Sequence, residues 1–332
     1  MKRHRISIFL AKKVVDAVIT IFLVMSILFL LLNSIPGGDM VTRSCPFCGA
    51  ETKAQLRELW GLDKPLYQQY LVYMKKVFTL DYRITHNQTI TSMDELLYYL
   101  PYTLLLFGTA AILSYVIGVF LGIRLLSWGG NRLRTAISGI SIVFYAIPAF
   151  VFALSFKNWF VFGYHIFPPV NVRLEGPAAV FESSILSEHL ANMWALLPAM
   201  ALPLIILVLV GLARPLLLLK DHMTLLLDEP FVLTATAKGL ARTTVLSKHV
   251  ARSALLPLMS DASINLAYII SGGILIEYIF DWPGIGTELF AALRMLYYPT
   301  ISAAIFLLTV ILLVSMICVD VLNAYLDPRV SL

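Results

Sequence analysis

Charged residues are scarce in this chain: they fill 14% of its 332 positions, where an ordinary soluble domain carries roughly 25%. Water is therefore not the main solvent for its surface. The length would accommodate two soluble domains, but the apolar residues, 59% of the total, come in long blocks separated by polar stretches. A mean hydropathy of +0.83 agrees. Catalytic signatures are missing too. There is no G-x-x-x-x-G-K-[ST] loop to cradle ATP phosphates and no H-E-x-x-H. His4, His86, His165, His189, His222 and His249 are scattered rather than spaced as metal ligands. Gly139-Ile140-Ser141 does not complete a G-x-S-x-G elbow, so an intramembrane hydrolase has no support. The net charge of +5 forms no continuous basic patch with interleaved aromatics, which argues against nucleic acid as a partner.

What remains is one helical bundle in lipid. A spanning helix needs ~20 mostly apolar residues, and six stretches qualify: 14–35, 100–123, 135–156, 190–212, 260–280 and 300–326. The fourth has an ambiguous end at Arg214-Pro215 and could run on to Leu219. The first follows a basic start, as a secretory signal would, but it is longer than a signal core and lacks an A-x-A-like site, so it reads as an anchor. Basic residues mark alternate loops. Lys2, Arg3, Arg5, Lys12 and Lys13 precede the first span; Arg124, Arg132 and Arg134 follow the second; Arg214, Lys220, Lys238, Arg242, Lys248 and Arg252 follow the fourth. The other loops are balanced or acidic, so the positive-inside rule puts both termini in the cytoplasm. Asp16, Glu277 and Asp320 lie within or beside spans and read as structurally paired rather than as a proton relay.

Residues 36–98 form an extracytoplasmic segment with local helices. Glu51 to Trp60 reads as one, stopped by Gly61-Leu62-Asp63-Lys64-Pro65. Tyr67, Tyr70, Leu71, Met74 and Phe78 then recur at helical spacing and predict an amphipathic helix that packs on the bundle or lies in lipid headgroups. Cys45-Pro46-Phe47-Cys48 sits outside the membrane, where oxidising conditions favour a disulfide; free thiols and half of a metal site are the other readings. Cys318 lies in an apolar span and reads as packing. Asn87-Gln88-Thr89 matches a short glycosylation signal.

The cytoplasmic stretch from Lys220 to Pro257 is too long for a simple connector, which takes ~2–8 residues. It contains Glu229-Pro230-Phe231-Val232-Leu233-Thr234-Ala235-Thr236-Ala237-Lys238-Gly239-Leu240, then His249, Arg252 and Leu255-Leu256-Pro257. Small residues at 235 and 237 permit close backbone approach, and Gly239 permits a sharp turn. This stretch resembles the EAA loop of ABC-importer permeases, in the form used by the oligopeptide/dipeptide/nickel permease family. Leu100-Pro101-Tyr102-Thr103-Leu104 resembles that family's start of the permease core. Glu277-Tyr278-Ile279-Phe280-Asp281-Trp282-Pro283-Gly284-Ile285-Gly286 resembles its outer re-entrant segment, and Leu326-Asp327-Pro328-Arg329 its tail. Gly61-Leu62-Asp63-Lys64-Pro65-Leu66 resembles the first-subunit, B-type member. Pro230 and Leu233 depart from the pattern, standing where the family usually has polar residues.

The resemblance implies an all-α integral membrane protein, a six-span type I ABC-importer permease of the prokaryotic plasma membrane. It would divide into a first span (1–35), the extracytoplasmic segment (36–98) and a permease core (99–332). Its implied partners are a homologous second permease, two ATPase subunits that bind the ATP and Mg2+, an extracytoplasmic solute-binding protein, and membrane lipid. The chain itself would hold no cofactor or metal and have no catalytic residue. Glu229, Thr234, Ala235, Ala237, Lys238, Gly239 and Leu240 would form the ATPase-coupling segment. Glu277, Trp282, Pro283, Gly284 and Gly286 would form the outer gate. Peptides, oligosaccharides and nickel complexes are the family's solutes. The competing reading, a self-sufficient channel or secondary transporter, lacks the internal repeat such proteins often show.

Overall fold

The computed structural model describes residues 2–35, 40–45, 47–83, 91–128, 130–169 and 185–326; Asn87 and the tail motif Asp327-Pro328-Arg329 lie outside them. Among the described residues every regular element is helical. Helix α1 (Lys2–Ser34) is followed by the short α2 (Met40–Ser44), α3 (Ala50–Trp60) and α4 (Leu66–Thr79), then by α5 (Ser92–Trp128). Next come α6 (Asn131–Ala146) and α7 (Ala149–Phe156), which runs into a wide π-helical turn over Lys157–Gly163. Helices α8 (Ile185–Gly211) and α9 (Ala213–Leu225) lead to the short α10 (Pro230–Ala237), and α11 (Ala251–Phe280), α12 (Ile285–Met295) and α13 (Tyr298–Leu326) follow. Among the described residues five stretches are long and apolar enough to cross a membrane, and a sixth exists if α6 and α7 count as one span.

That sixth span corrects the continuous helix expected over 135–156. The chain bends by 95° between α6 and α7. Ile147 takes an extended backbone, φ −86° and ψ 130°, because the Pro148 ring clashes with a helical residue before it. The fourth span, in contrast, continues through Leu212 into α9. Pro215 falls in the first turn of α9, where its missing N–H is no loss. Helices α3 and α4 fall where the sequence places them. Gly61 closes α3 at φ +73°, with the Leu62 N–H bonded to the Arg57 carbonyl. One face of α4 packs on α1, with Tyr70 and Tyr73 rings 5.4 and 5.3 Å from Phe29, while Tyr67, Leu71 and Phe78 stay exposed.

Three apolar clusters hold the bundle. One joins the start of α5 to α1, α4, α12 and α13 through Met25, Met74, Leu96, Ile285 and Ile301. A central cluster brings α5, α7, α8 and α11 together. The third joins Leu126 of α5 to α9, α10 and α11 through Leu219, Met223, Val232 and Ala254. The first and third clusters lie at opposite ends, because α5 has 37 residues and rises ~1.5 Å per residue, ~55 Å in all. Gly118 and Gly122 let α5 approach α9 closely: a Cβ at Gly118 would stand 2.8 Å from the Pro215 ring, and one at Gly122 3.2 Å from Leu219. This is the small-x-x-x-small spacing by which helices meet in lipid, where packing rather than the hydrophobic effect drives association.

Two ion pairs tie spans together. Asp320 meets Lys13 at 2.7 Å and accepts a hydrogen bond from Ser263, tying α1 and α11 to α13. Arg214 of α9 grips Asp261 of α11, with Nε 2.9 and 2.8 Å from the two carboxylate oxygens. Arg214 thus lies in the longer version of the fourth span, and Asp261 is not among the acids the sequence singles out.

Candidate functional site

Helix α10 begins where Glu229 turns extended and Pro230 takes the first helical position, which suits its fixed φ and absent N–H. It ends at Gly239, whose φ of +76° is open to glycine at no steric cost. The two hydroxyls do not compete for partners: Thr234 and Thr236 each donate to the carbonyl four residues back, at 2.9 Å. The helix is two-faced. Val232 and Ala235 are buried against α9 and the segment entering α11. Glu229, Thr234, Ala237, Lys238, Gly239 and Leu240 are exposed. Of the residues expected to enter a partner groove, Ala235 therefore points the other way, into its own bundle. The sequence reading missed the apolar residues that do face out: Phe231, Leu233 at 65% exposure, and the neighbouring Leu225 at 75%. Leu233, a departure from the expected pattern, becomes intelligible as part of this face.

At the opposite end, α11 stops at Phe280 and Asp281 turns left-handed. The chain then makes a tight joint. The Trp282 indole N–H donates to the Tyr102 carbonyl (3.1 Å), the Ile285 N–H to Thr103 Oγ1 (2.8 Å) and the Thr287 hydroxyl to the Trp282 carbonyl (2.6 Å). Glu277 is fully buried, and its Oε2 accepts the Gly286 N–H at 2.7 Å. The Glu277 carboxyl group thus caps the N-terminus of α12, where backbone amides lack a partner within the helix. The two glycines make room for it: a Cβ at Gly284 would stand 2.3 Å from the Glu277 carboxyl carbon, and one at Gly286 2.7 Å from Oε2. Lys157 clamps the outside of the joint, meeting Asp281 at 2.8 Å and donating to the Ile279 carbonyl. Within this chain Trp282, Gly284 and Gly286 are buried and Pro283 is half-buried, so the turn is a packed joint on α5 rather than a free lip.

Between the two ends, the 95° bend opens a cleft of about 580 Å³. Its walls are Pro148 and Phe150 beside the bend, Leu207 and Gly211 of α8, and Ile269 and Gly272 of α11. The surface is apolar, so it offers no fixed polar partner to a solute. Cys45 and Cys48 form a disulfide with Cα atoms 5.3 Å apart, and Phe47 between them is fully exposed. Among the described residues no group of three or more His, Cys, Asp or Glu could hold a metal.

Comparison with known proteins agrees with this architecture. Residues 114–332 match the family described as "Binding-protein-dependent transport system inner membrane component", and residues 6–91 match the N-terminal region of such membrane components. The chain is 28% identical over 328 residues to the dipeptide transport system permease protein DppB of Lactococcus lactis subsp. cremoris (strain MG1363), covering 98% of this chain and 99% of that one. It is 28% identical over 313 residues to DppB of Escherichia coli (strain K12), covering 91% and 92%. To the glutathione transport system permease protein GsiC of Escherichia coli (strain K12) it is 26% identical over 329 residues, covering 97% and 98%. A buried joint at one end, a two-faced helix at the other and a matched core between them lead to one assignment: the chain belongs to the family of inner membrane permease components of binding-protein-dependent ABC transport systems, in which ATP hydrolysis resides in separate subunits.

Proposed function

We propose that this permease takes up short peptides and that α10 is the element through which two partner ATPases drive it. The observation that carries the reading is the division of α10 into an inner face, held by Val232 and Ala235, and an outer apolar face at Phe231 and Leu233, with Leu240 exposed just past its end. An apolar face with internally bonded hydroxyls can enter a partner's groove without leaving a buried polar group unpaired. Its inner face packs on the turn Val245–Val250, which in turn packs on α5 and leads into α11. Movement of α10 is therefore passed to spans that reach the joint at Trp282. Arg124 and Arg132 near the α5–α6 turn, and Arg242 and Lys248 just after α10, are exposed, which supports a cytoplasmic placement for this end and for both termini.

In this mechanism an extracytoplasmic binding protein delivers solute at the joint end, and a homologous second permease completes the path. The apolar cleft at the Pro148 bend is this chain's wall of that path, where a solute passes without being held. ATP and Mg2+ are bound by the ATPase subunits, whose closure shifts the permease between two states by its different fit to each. The names of the relatives, dipeptide and glutathione permeases, favour a peptide over an oligosaccharide or a nickel complex. The test is reconstitution of the purified complex with its binding protein. Peptide accumulation that requires ATP supports the proposal; uptake by this chain without ATPase subunits would refute it.

A further inference from the structure

A second cleft, of about 620 Å³ and open to solvent, lies at the joint end of the bundle between α1, α3, α4 and the start of α13. Its floor is apolar, made by Phe29 and Leu32 of α1 and Val77 of α4. Its polar wall is made mainly of donors. Tyr82 is only 3% exposed, yet its hydroxyl has no hydrogen-bond partner, and the buried indole N–H of Trp60 has none either. Lys76 donates to the Leu59 carbonyl and has two further N–H groups; burial holds its ammonium below the usual lysine value. Asp81 is the one carboxylate in the wall, and Arg83 already holds it in a two-pronged pair at 2.7 and 2.9 Å. Counting Lys76, Arg83 and Asp81, the wall carries one net positive charge.

Unused donors and an uncompensated cation over an apolar floor describe a site for an oxyanion joined to a hydrocarbon chain. We infer that this cleft binds the phosphate of a membrane phospholipid through Trp60, Lys76 and Tyr82, with an acyl chain running down α1. The surroundings favour a lipid over a free anion. Ile27, Leu30 and Leu31, on the same turns of α1 as the cleft floor, are 56–61% exposed, and only 17% of the spanning windows of α1 and α13 is buried by the rest of the chain. Both helices therefore present bare hydrocarbon surface beside the cleft, at the level where α1 ends and α13 begins. The inference rests on these helices spanning the membrane but not on which solute is carried.

Native mass spectrometry of the complex purified in a maltoside detergent tests it, with dioleoylphosphatidylethanolamine, dioleoylglycerol and inorganic phosphate added in turn. One phosphatidylethanolamine should be retained, with dioleoylglycerol unable to displace it, and the double variant Lys76→Met/Tyr82→Phe should weaken retention about tenfold or more. Equal retention of dioleoylglycerol, unchanged retention by the variant, or displacement by inorganic phosphate at millimolar levels would each overturn the assignment. Tyr82→Phe keeps the ring that packs on Phe306 and so serves alone if the double variant does not fold. A measurement on the unaltered site is quenching of Trp60 by a phosphatidylethanolamine brominated along its chains: part of the quenching must vanish in Trp60→Phe, and its persistence counts against the site. ATP-driven uptake, measured on the same preparations, separates failure here from failure of the transport reading.

Discussion

The two faces of α10 predict opposite outcomes for one charge placed two residues apart. Leu233 is 65% exposed. Fully burying a leucine side chain is worth ~1.5–3 kcal/mol, so seating it in a partner's groove contributes ~1–2 kcal/mol. Leu233→Asp forfeits that and adds ~1–3 kcal/mol for a carboxylate stripped of water. The sum, ~2–5 kcal/mol, corresponds to at least ~30-fold weaker ATPase binding, since ~1.4 kcal/mol is a factor of ten. The stability of the isolated chain should change by no more than ~0.5 kcal/mol, as for other surface substitutions. Ala235 is 7% exposed and packs among apolar residues. A carboxylate buried among those apolar side chains costs several kcal/mol of the ~5–15 kcal/mol that holds a fold together. Ala235→Asp should therefore lower the unfolding temperature before any effect on docking can be read. The assay is paired: thermal unfolding of the purified chain, and recovery of ATPase subunits on a tagged permease. If Leu233→Asp retains the ATPases at full yield with normal ATP-coupled uptake, the docking face is wrongly placed. If Ala235→Asp leaves the unfolding temperature unchanged, the inner face is.

The buried Arg214–Asp261 pair should behave as a unit. Asp261→Leu alone strands a half-buried guanidinium and should cost ~3–5 kcal/mol, whereas Arg214→Met with Asp261→Leu should recover most of it; no recovery in the unfolding curves would show that the pair is not the cause. Gly284→Ala drives a methyl into the Glu277 carboxyl group and should destabilise the joint by ~1–3 kcal/mol, read as faster hydrogen exchange in α12. Finally, burial, with Glu95 adding to it, raises the Glu288 carboxyl from 4.5 to about 7. The folded state thus holds that proton more tightly than the unfolded state, so the contribution is complete below pH ~4.5 and is lost as pH rises through ~7. Glu288→Gln should flatten the fall in stability over that interval, and an unchanged profile would assign it to another group.

Much of this architecture was legible because hydrocarbon thickness imposes long apolar runs, and Trp282-Pro283-Gly284 announce a break between helices. The bend was also written, as Ile147-Pro148, but it lay inside a run apolar enough to pass for one span. Which face of α10 turns inward could not be read. A helix spelled Pro-Phe-Val-Leu-Thr-Ala-Thr-Ala is apolar or small all round, so periodicity has nothing to contrast. Asp261 was hidden for a related reason. At the edge of a span, a carboxylate reads as solvated until the neighbouring helix is seen to bring Arg214 against it.

The glycine seat of α5 has a mechanical consequence. From its midpoint near residue 120, Leu126 is ~9 Å away along the rod and the Tyr102–Thr103 contact is ~26 Å away on the other side, at ~1.5 Å per residue. A stiff beam resting on that fulcrum has unequal arms, in a ratio of about three by the same helical rise. A 1 Å push beside α10 would swing the far end by ~3 Å in the opposite sense. The two mouths would then be geared together, one narrowing as the other widens, and no separate lock would be needed to keep the membrane sealed during a cycle.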